Sequence, residues 1–429
     1  MTYYIYTLGC KVNQYDSQQL AAALSDMGMT PAENKEKADV YVINSCTVTA
    51  ESSRKSRQAL RRFRTLNPNA VTVLTGCYSQ AFAEEAFALE SADIVLGHRT
   101  NSELADSINL FLSTEKPVRN VIPHSINDRY CGGTISAFEG HTRAFVKIQD
   151  GCNRRCSYCV IPRARGFSRS KPLEDIKNEI HTLAGRGFKE IVFVGINLSA
   201  YGRDLENADL CDVLMLAEEA DGIERIRLGS LEPDHITDDI IEKLAGMKKF
   251  CPQFHLSLQS GCDSVLKRMN RHYTTAEYSE LCRKLKDSFD DISLTTDIIP
   301  GFPGETDEDF AETVDFAIKT GFMKVHVFPF SPREGTPAYS YPDTVPADIK
   351  EKRCAYLQQK ADEVRADFLE KYNGKTVKVL FETPKNGLQK GYTENYTPVA
   401  VKSDKLLTGL ILPVKITEVT DEICFGELQ

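Results

Sequence analysis

The sequence lacks any uninterrupted apolar run approaching the roughly 20 residues that a transmembrane helix requires. Its amino terminus, Met-Thr-Tyr-Tyr-Ile, has neither the basic segment nor the apolar segment of a secretory signal. These absences predict a cytoplasmic protein with no membrane partner. The chain also has no internal repeat and no low-complexity segment, and its 41% hydrophobic and 26% charged residues are those of a globular protein rather than a disordered or fibrous one.

An excess of positive charge is also absent. With 52 Lys and Arg against 61 Asp and Glu, the formal charge is -9, so any nucleic-acid contact must be local. One local basic stripe exists, because four arginines at helical spacing share one face. They are Arg54, Arg57, Arg61 and Arg64. Such a stripe is either a phosphate-binding surface or simply the solvated face of a helix.

The chain length of 429 residues suggests two to four domains. Residues 1–114 alternate β-rich runs with amphipathic helical patterns, which predicts an open α/β domain on a parallel sheet. Residues 115–141 are irregular and read as a linker. Residues 142–370 predict six strands with intervening helices, at 144–149, 190–195, 225–229, 254–258, 293–299 and 324–330, hence a full or partial α/β barrel. Residues 371–429 are β-rich, with predicted strands at 377–381, 397–401, 408–419 and 423–428, and predict a small β-barrel.

The most specific motif is Cys152-Asn-Arg-Arg-Cys156-Ser-Tyr-Cys159, which directly follows a predicted strand. In a reducing compartment cysteines at such spacing indicate metal ligands rather than disulfides. Three thiolates can hold three irons of a [4Fe-4S] cluster and leave the fourth iron open. A zinc site would need a fourth ligand, which residues 160–165 do not offer.

This motif, with the aromatic Tyr158, resembles the signature of the radical S-adenosylmethionine (SAM) superfamily. The resemblance implies that the open iron binds SAM and that an electron from the cluster cleaves it to a 5′-deoxyadenosyl radical. Polar and glycine residues at the ends of the predicted core strands are then candidate SAM contacts, although each of them also fits an ordinary turn. These candidates are Gly195, Asn197, Ser230, Gln259 and Asp297, and Tyr158 of the motif itself is a sixth. His326 and Tyr339 either line the substrate mouth or have a structural role.

Three further cysteines, Cys10, Cys46 and Cys77, follow predicted strands of the first domain. The carboxyl ends of parallel strands line one crevice, so the three thiols are able to converge, although independent buried thiols remain an alternative. Together with the core motif they resemble the radical SAM methylthiotransferase family, in domain order as well as in motif. The resemblance implies an auxiliary [4Fe-4S] cluster on these cysteines and a C-terminal TRAM domain.

Within that family, Gly9-Cys10-Lys11-Val12-Asn13 is similar to the subgroup that acts on threonylcarbamoyladenosine in tRNA. The resemblance implies transfer of a methylthio group to C2 of the modified adenosine at position 37 of the anticodon stem-loop, with SAM as both methyl donor and radical source. It also implies a sulfur source and an electron donor such as flavodoxin or ferredoxin. Alternative acceptors are isopentenyladenosine in tRNA or a ribosomal protein. A non-enzymatic alternative is an iron-sulfur protein that binds RNA or transfers electrons.

A second basic patch is expected at the mouth of the active site, because the loop that carries the core cysteines is rich in arginine. Its members are Arg154, Arg155, Arg163, Arg165 and Arg169.

Overall fold

The computed structural model describes residues 1–135 and 141–429. The N-terminal domain is a six-stranded parallel sheet of order β2-β1-β3-β4-β5-β6, flanked by helices on both faces. Its strands are β1 (Thr2–Thr7), β2 (Thr30–Pro31), β3 (Val40–Ser45), β4 (Val71–Gly76), β5 (Ile94–Leu96) and β6 (Val118–Asn120). Its helices are α1 (Lys11–Asp26), α2 (Ala50–Leu66), α3 (Cys77–Ala81), α4 (Ala83–Phe87) and α5 (Leu104–Thr114).

The local sequence accounts for most of these elements. Strands β3 and β4 are buried at every residue, as expected for central parallel strands covered on both faces. Helix α2 begins at Thr49, whose side chain accepts a hydrogen bond from the Ser52 amide. Two features differ from the sequence pattern. The chain breaks at Phe82 (φ -130°, ψ 58°), so the helical pattern of residues 80–90 forms two short helices, and β6 of the sheet lies in the segment read as a linker.

The core domain contains the expected parallel strands, wrapped as a partial barrel. Its strands are β7 (Arg143–Asp150), β8 (Arg169–Ser170), β9 (Glu190–Gly195), β10 (Arg225–Leu228), β11 (Ser230–Leu231), β12 (Gln253–Leu256), β13 (Ser293–Ile298) and β14 (Lys324–Val327). Its helices are α6 (Ile161–Arg165), α7 (Leu173–Gly185), α8 (Leu210–Glu219), α9 (Asp238–Ala245), α10 (Asp263–Arg268), α11 (Thr275–Ser288), α12 (Asp307–Thr320) and α13 (Ala347–Glu370). Within the described ranges the strands form two four-stranded sheets, β10-β9-β7-β8 and β11-β12-β13-β14, which a bridge from Ile226 to Phe250 joins.

The two faces of the core strands differ in polarity. Alternate residues such as Ile191, Phe193 and Leu256 pack outward against the helices in the largest hydrophobic cluster. The other face is largely polar and lines an inner space, which we call the lumen. Side chains on the lumen face include Arg143, Phe145, Glu190, Val192, Arg227, His255, Asp297 and His326. The core therefore keeps a polar interior available for a ligand.

The C-terminal domain is a closed five-stranded barrel of order β15-β16-β17-β19-β18, which confirms the predicted fold class. Its strands are β15 (Thr376–Phe381), β16 (Gln389–Tyr392), β17 (Pro398–Val401), β18 (Ile411–Val419) and β19 (Cys424–Leu428). It lies against the amino ends of the core strands, where Arg225 and Arg227 donate to the backbone oxygens of Tyr392 and Glu394. In the described parts of the chain, no helix is long and apolar enough to cross a membrane.

Candidate active site between the first two domains

The three N-terminal cysteines lie together at the carboxyl ends of adjacent strands. Cys10 precedes α1, Cys46 follows β3, and Cys77 opens α3 directly after β4. Gly9, at φ +98°, brings the chain so close that a Cβ there would lie 2.9 Å from the Cys46 Sγ. Gly76, at φ +95°, is similarly confined by the Ser45 backbone. Glycine therefore precedes Cys10 and Cys77 for a steric reason, because a larger residue at either position would push the thiols apart.

Asn13 of α1 ties the three cysteine-bearing segments to one another. Its amide group donates to the backbone oxygens of Leu8 (2.7 Å) and Ser45 (3.0 Å). Its carbonyl oxygen accepts from the Cys77 thiol at 3.7 Å. The sequence motif contained Asn13, but its role in positioning the thiols could not be read from the motif alone.

The core domain also contributes to this site through Arg165, whose side chain is fully buried. Its Nε donates to the Cys77 Sγ at 3.2 Å, and its other nitrogens contact Asn13, Asp16 (2.8 Å) and the His98 Nε2 (2.7 Å). Arg165 therefore joins the two domains at the cysteine site. The expectation that Arg165 belongs to an exposed basic patch is wrong, because acidic partners elsewhere in the chain neutralise it.

The same buried network contains two more charged groups, Lys147 and Asp150. Lys147 of β7 pairs with Asp16 at 2.6 Å and with Asp150 at 3.1 Å. Burial lowers the pKa of His98 to about 4, and the Arg165 guanidinium acts in the same direction, so His98 is neutral and accepts from Arg165. Burial raises the pKa of the Cys77 thiol to about 12, against the pull of Arg165. A thiol of this kind remains protonated at neutral pH until a metal displaces its proton.

The core cysteines occupy one loop between β7 and α6. Cys156 is buried, whereas Cys152 and Cys159 are half-buried. Burial raises the pKa of Cys159 to about 12, and Cys156 adds to the shift. Arg271 donates to the Cys156 Sγ at 3.3 Å and is paired with Glu232. This site therefore has its own arginine, supplied from within the core domain.

Arg154 of the same loop is buried and paired with Asp234. Arg169 is also buried, and its guanidinium donates to the backbone oxygens of Arg165 and Phe167. These contacts contradict the expected exposed patch for both arginines, whereas Arg155 and Arg163 are exposed. The loop is basic in sequence but largely neutralised in the fold.

Among the candidate SAM contacts at the strand ends, Asn197 lies beside the cysteine loop. Its side-chain amide is 3.9 Å from the Cys152 Sγ, and its backbone amide donates to the Gln149 Oε1. Gly195 packs against the same Gln149 side chain. The Asn197 Oδ1 is buried with no hydrogen-bond partner in the described ranges, which suits a site that awaits a polar ligand.

The other candidates lie around the same end of the core. Gln259, at φ +73°, donates its backbone N–H to the Asp297 backbone oxygen at 2.9 Å, and its own backbone oxygen accepts from the Ile299 N–H at 2.9 Å. Asp297 is within 3.2 Å of the His255 Nε2. Ser230 is exposed on β11, and Tyr158 packs edge-on against Phe302.

The four arginines of the α2 stripe have different surroundings. Arg54 is exposed and paired with Glu51, and Arg57 lies over the Tyr78 ring, next to Cys77. Arg61 is exposed. Arg64 is paired with Asp93 and donates to the Pro68 and Ala70 backbone, which gives it a structural role. The end of the stripe near Cys77 is therefore the part best placed to meet an RNA.

Phe82 links the two domains on the other side of the cysteine sites. Its ring lies 5.1 Å from the Arg163 guanidinium carbon and 4.9 Å from that of Arg333. Arg333 also donates to Thr47 and Ser53, next to Cys46. A cavity of about 690 Å³ opens beside Phe82 and is bordered by Cys152. Both cysteine sites therefore adjoin the domain interface.

Comparison with family models divides the chain as the structure does. The uncharacterized protein family UPF0004 matches residues 2–97, the radical SAM superfamily matches residues 146–317, and the TRAM domain matches residues 370–428. The solved radical SAM methyltransferase TsrM from Kitasatospora setae aligns with a TM-score of 0.57 at 15% identity, covering 91% of this chain and 80% of its own. That likeness concerns the fold alone. The partial barrel and its cysteine loop thus define a radical SAM protein.

Comparison with curated relatives identifies the family of this chain within the radical SAM class. The threonylcarbamoyladenosine tRNA methylthiotransferases MtaB of Bacillus subtilis and Thermotoga maritima are 36% and 39% identical, over 96% and 91% of this chain and 92% and 89% of their own. The tRNA-2-methylthio-N(6)-dimethylallyladenosine synthase of Thermotoga petrophila is 35% identical over 100% of this chain and 97% of its own. The chain belongs to the radical SAM tRNA methylthiotransferase family, which confirms the resemblance seen in the cysteine motifs. A [4Fe-4S] cluster and SAM follow from that family.

Proposed function

We propose that this enzyme transfers a methylthio group to C2 of N6-threonylcarbamoyladenosine at position 37 of tRNA, and that it uses SAM and two [4Fe-4S] clusters. The observation that carries the proposal is the pair of three-cysteine sites at one domain interface. The named relatives that act on threonylcarbamoyladenosine support the substrate. A tRNA substrate places the reaction in the cytoplasm, with a reductant such as flavodoxin or ferredoxin and a separate sulfur source.

In the core site, Cys152, Cys156 and Cys159 hold the cluster that binds SAM. When bound, this pair supplies one-electron reduction and a carbon radical, chemistry that no side chain provides. The protein binds and orients SAM with its own side chains. Asn197 offers a carbonyl oxygen next to Cys152 that has no hydrogen-bond partner among the residues the structure describes. Arg271 donates to Cys156 and so stabilises negative charge on the thiolates.

In the auxiliary site, Cys10, Cys46 and Cys77 hold the second cluster and the sulfur that is transferred. Asn13 and Arg165 fix the three thiolates in place, and Arg165 compensates their charge from the core side. Because the arginine belongs to one domain and the thiols to the other, the auxiliary site is complete only when the two domains are docked.

For RNA, we propose that Arg54, Arg57 and Arg61 contact phosphates of the anticodon stem-loop beside the auxiliary site, and that the TRAM barrel adds a second contact. The chain is acidic overall, so these local patches must supply the attraction.

Anaerobic reconstitution tests the proposal directly. The full chain, loaded with iron and sulfide, is reduced with SAM and an anticodon stem-loop that carries threonylcarbamoyladenosine, and nucleosides are read by mass spectrometry. A methylthio increment on that nucleoside is expected. If product forms only on an isopentenyladenosine stem-loop or on a ribosomal protein, the proposed acceptor is wrong. If an enzyme with both clusters forms no 5′-deoxyadenosine, it is an iron-sulfur binding or electron-transfer protein instead.

A further inference from the structure

Lys11 occupies an unusual position at the start of α1. It directly follows Cys10 of the auxiliary site. The next residue, Val12, packs with Phe145, Val192 and Val194, whose side chains are on the lumen face of β7 and β9. The first turn of α1, although part of the N-terminal domain, therefore enters the lumen of the core.

Two arginines near Lys11 already have glutamate partners. Arg227 is paired with Glu190 at 3.0 Å, and Arg143 with Glu382 at 2.6 Å. The Asp297 carboxylate lies 3.2 Å from the His255 Nε2. The charges that act most strongly on Lys11 are Arg143, Arg227 and Glu190, and Lys11 in turn acts on His326. In residues 1–135 and 141–429, Lys11 has no ion pair and no side-chain hydrogen bond.

The Lys11 side chain is exposed, so its ammonium group is free to form a charge-assisted hydrogen bond with a bound anion. A positive charge without an ion partner in residues 1–135 and 141–429 thus lies next to the site proposed to deliver sulfur. A ligand with a single carboxylate matches this arrangement.

The chemistry of the proposed substrate supplies that group in the required place. In adenine, C2 and the exocyclic N6 flank N1 on the same edge of the ring. A site that delivers sulfur to C2 therefore adjoins the site that holds the substituent on N6. Cys10 and Lys11 are adjacent in the chain, and the threonylcarbamoyl substituent ends in a carboxylate.

We propose that Lys11 is a specificity-determining residue that binds the carboxylate of the N6 substituent inside the lumen, and this inference rests on the proposed function. His326, on the same face of the lumen, lies close enough to share this environment. The residue beside the sulfur site thereby distinguishes an anionic substituent from an apolar one.

The test compares two stem-loops that differ only at the carboxylate, one with threonylcarbamoyladenosine and one with the corresponding threoninamide. For the reconstituted wild-type enzyme we expect the carboxylate substrate to have a KM about 10- to 100-fold lower, as for one charge-assisted contact. Lys11→Met should lose this preference, and Lys11→Arg should keep part of it. Lys352→Met, which removes an exposed lysine of α13, is the matched control and should keep the full preference.

Equal KM values for the two substrates with the wild-type enzyme would overturn the inference without any variant. So would a Lys11→Met enzyme that weakens on both substrates to the same extent, because Lys11 would then act on the fold or on RNA phosphate. Equilibrium binding of the same two stem-loops separates this result from failure of the proposed function. An enzyme that makes no product yet binds the carboxylate form more tightly refutes the reaction and supports the role of Lys11.

Discussion

The two cysteine sites are built in different ways. The core site uses three cysteines within one loop, from Cys152 to Cys159, and its arginine, Arg271, belongs to the same domain. The auxiliary site uses thiols from three strand ends, and its arginine, Arg165, comes from the neighbouring domain. The first site is completed within one domain, whereas the second needs a folded sheet and a docked partner domain. Damage to the domain interface should therefore affect them unequally.

The largest effects come from the cysteines themselves. Cys156→Ala should abolish both 5′-deoxyadenosine formation and methylthiolation, because the cluster that binds SAM is held by all three thiolates. Cys46→Ala should spare part of the SAM cleavage while abolishing methylthiolation. Chromatography of 5′-deoxyadenosine and mass spectrometry of nucleosides measure the two readouts. Methylthio product from the Cys46→Ala enzyme would contradict the auxiliary role.

Arg165→Met tests whether the auxiliary site depends on the core domain. Removal of one member of a buried charge network costs roughly 3–5 kcal/mol. We expect less iron in the auxiliary site and a lower stability, while SAM cleavage at the core site persists. Iron content, 5′-deoxyadenosine formation and chemical unfolding measure these effects. Arg186→Met, which removes an exposed arginine at the end of α7, should change none of them; equal iron content in both variants argues against the dependence.

Phe82→Leu sharpens the same comparison at the second link between the domains. Leucine keeps most of the apolar volume but loses the ring between Arg163 and Arg333, which should cost about 1–2 kcal/mol. Thermal unfolding should shift to lower temperature, and Phe82→Ala should shift it further because it also leaves a cavity. If Phe82→Leu is as stable as the wild type, the ring does not hold the domains together.

The smallest effect concerns pH. The pKa of His98 is about 4 in the folded chain, below its ordinary value of 6.5, so folding favours the neutral ring. The stability that this preference provides is present above pH 6.5 and is lost as the pH falls toward 4. Between pH 7.5 and 5.5 the cluster-free chain should lose about 1 kcal/mol from this group. Urea unfolding of the wild type and of His98→Gln at both pH values measures this loss of stability. The same loss in both proteins would refute the role of His98.

Much of the fold could be predicted because each core strand has a buried outer face with a turn signal after it. The core cysteine site could be predicted for a similar reason, since its ligands are neighbours in the chain. The surroundings of the two cysteine sites could not be predicted. Arg154, Arg165 and Arg169 read as an exposed patch because their acidic or backbone partners, such as Asp16 and Asp234, are far away in sequence.

Two elements were missed for other physical reasons. The break at Phe82 interrupts an ordinary helical pattern because the ring packs into the neighbouring domain, a contact that local periodicity does not report. Strand β16, Gln-Lys-Gly-Tyr, is short and polar, and only closure of the barrel makes it a strand.

The attachment of the C-terminal barrel has a consequence for how an RNA is held. Leu369, at the end of α13, and Tyr372 pack inside the barrel, and Asn395 donates to the Asp291 backbone oxygen in the core at 2.7 Å. Barrel and core are thus one rigid body rather than two modules on a tether. Once one of them holds the proposed tRNA, the other meets it at a high and fixed effective concentration. The distance between the two contacts then acts as a ruler, and an RNA with a different spacing satisfies only one of them.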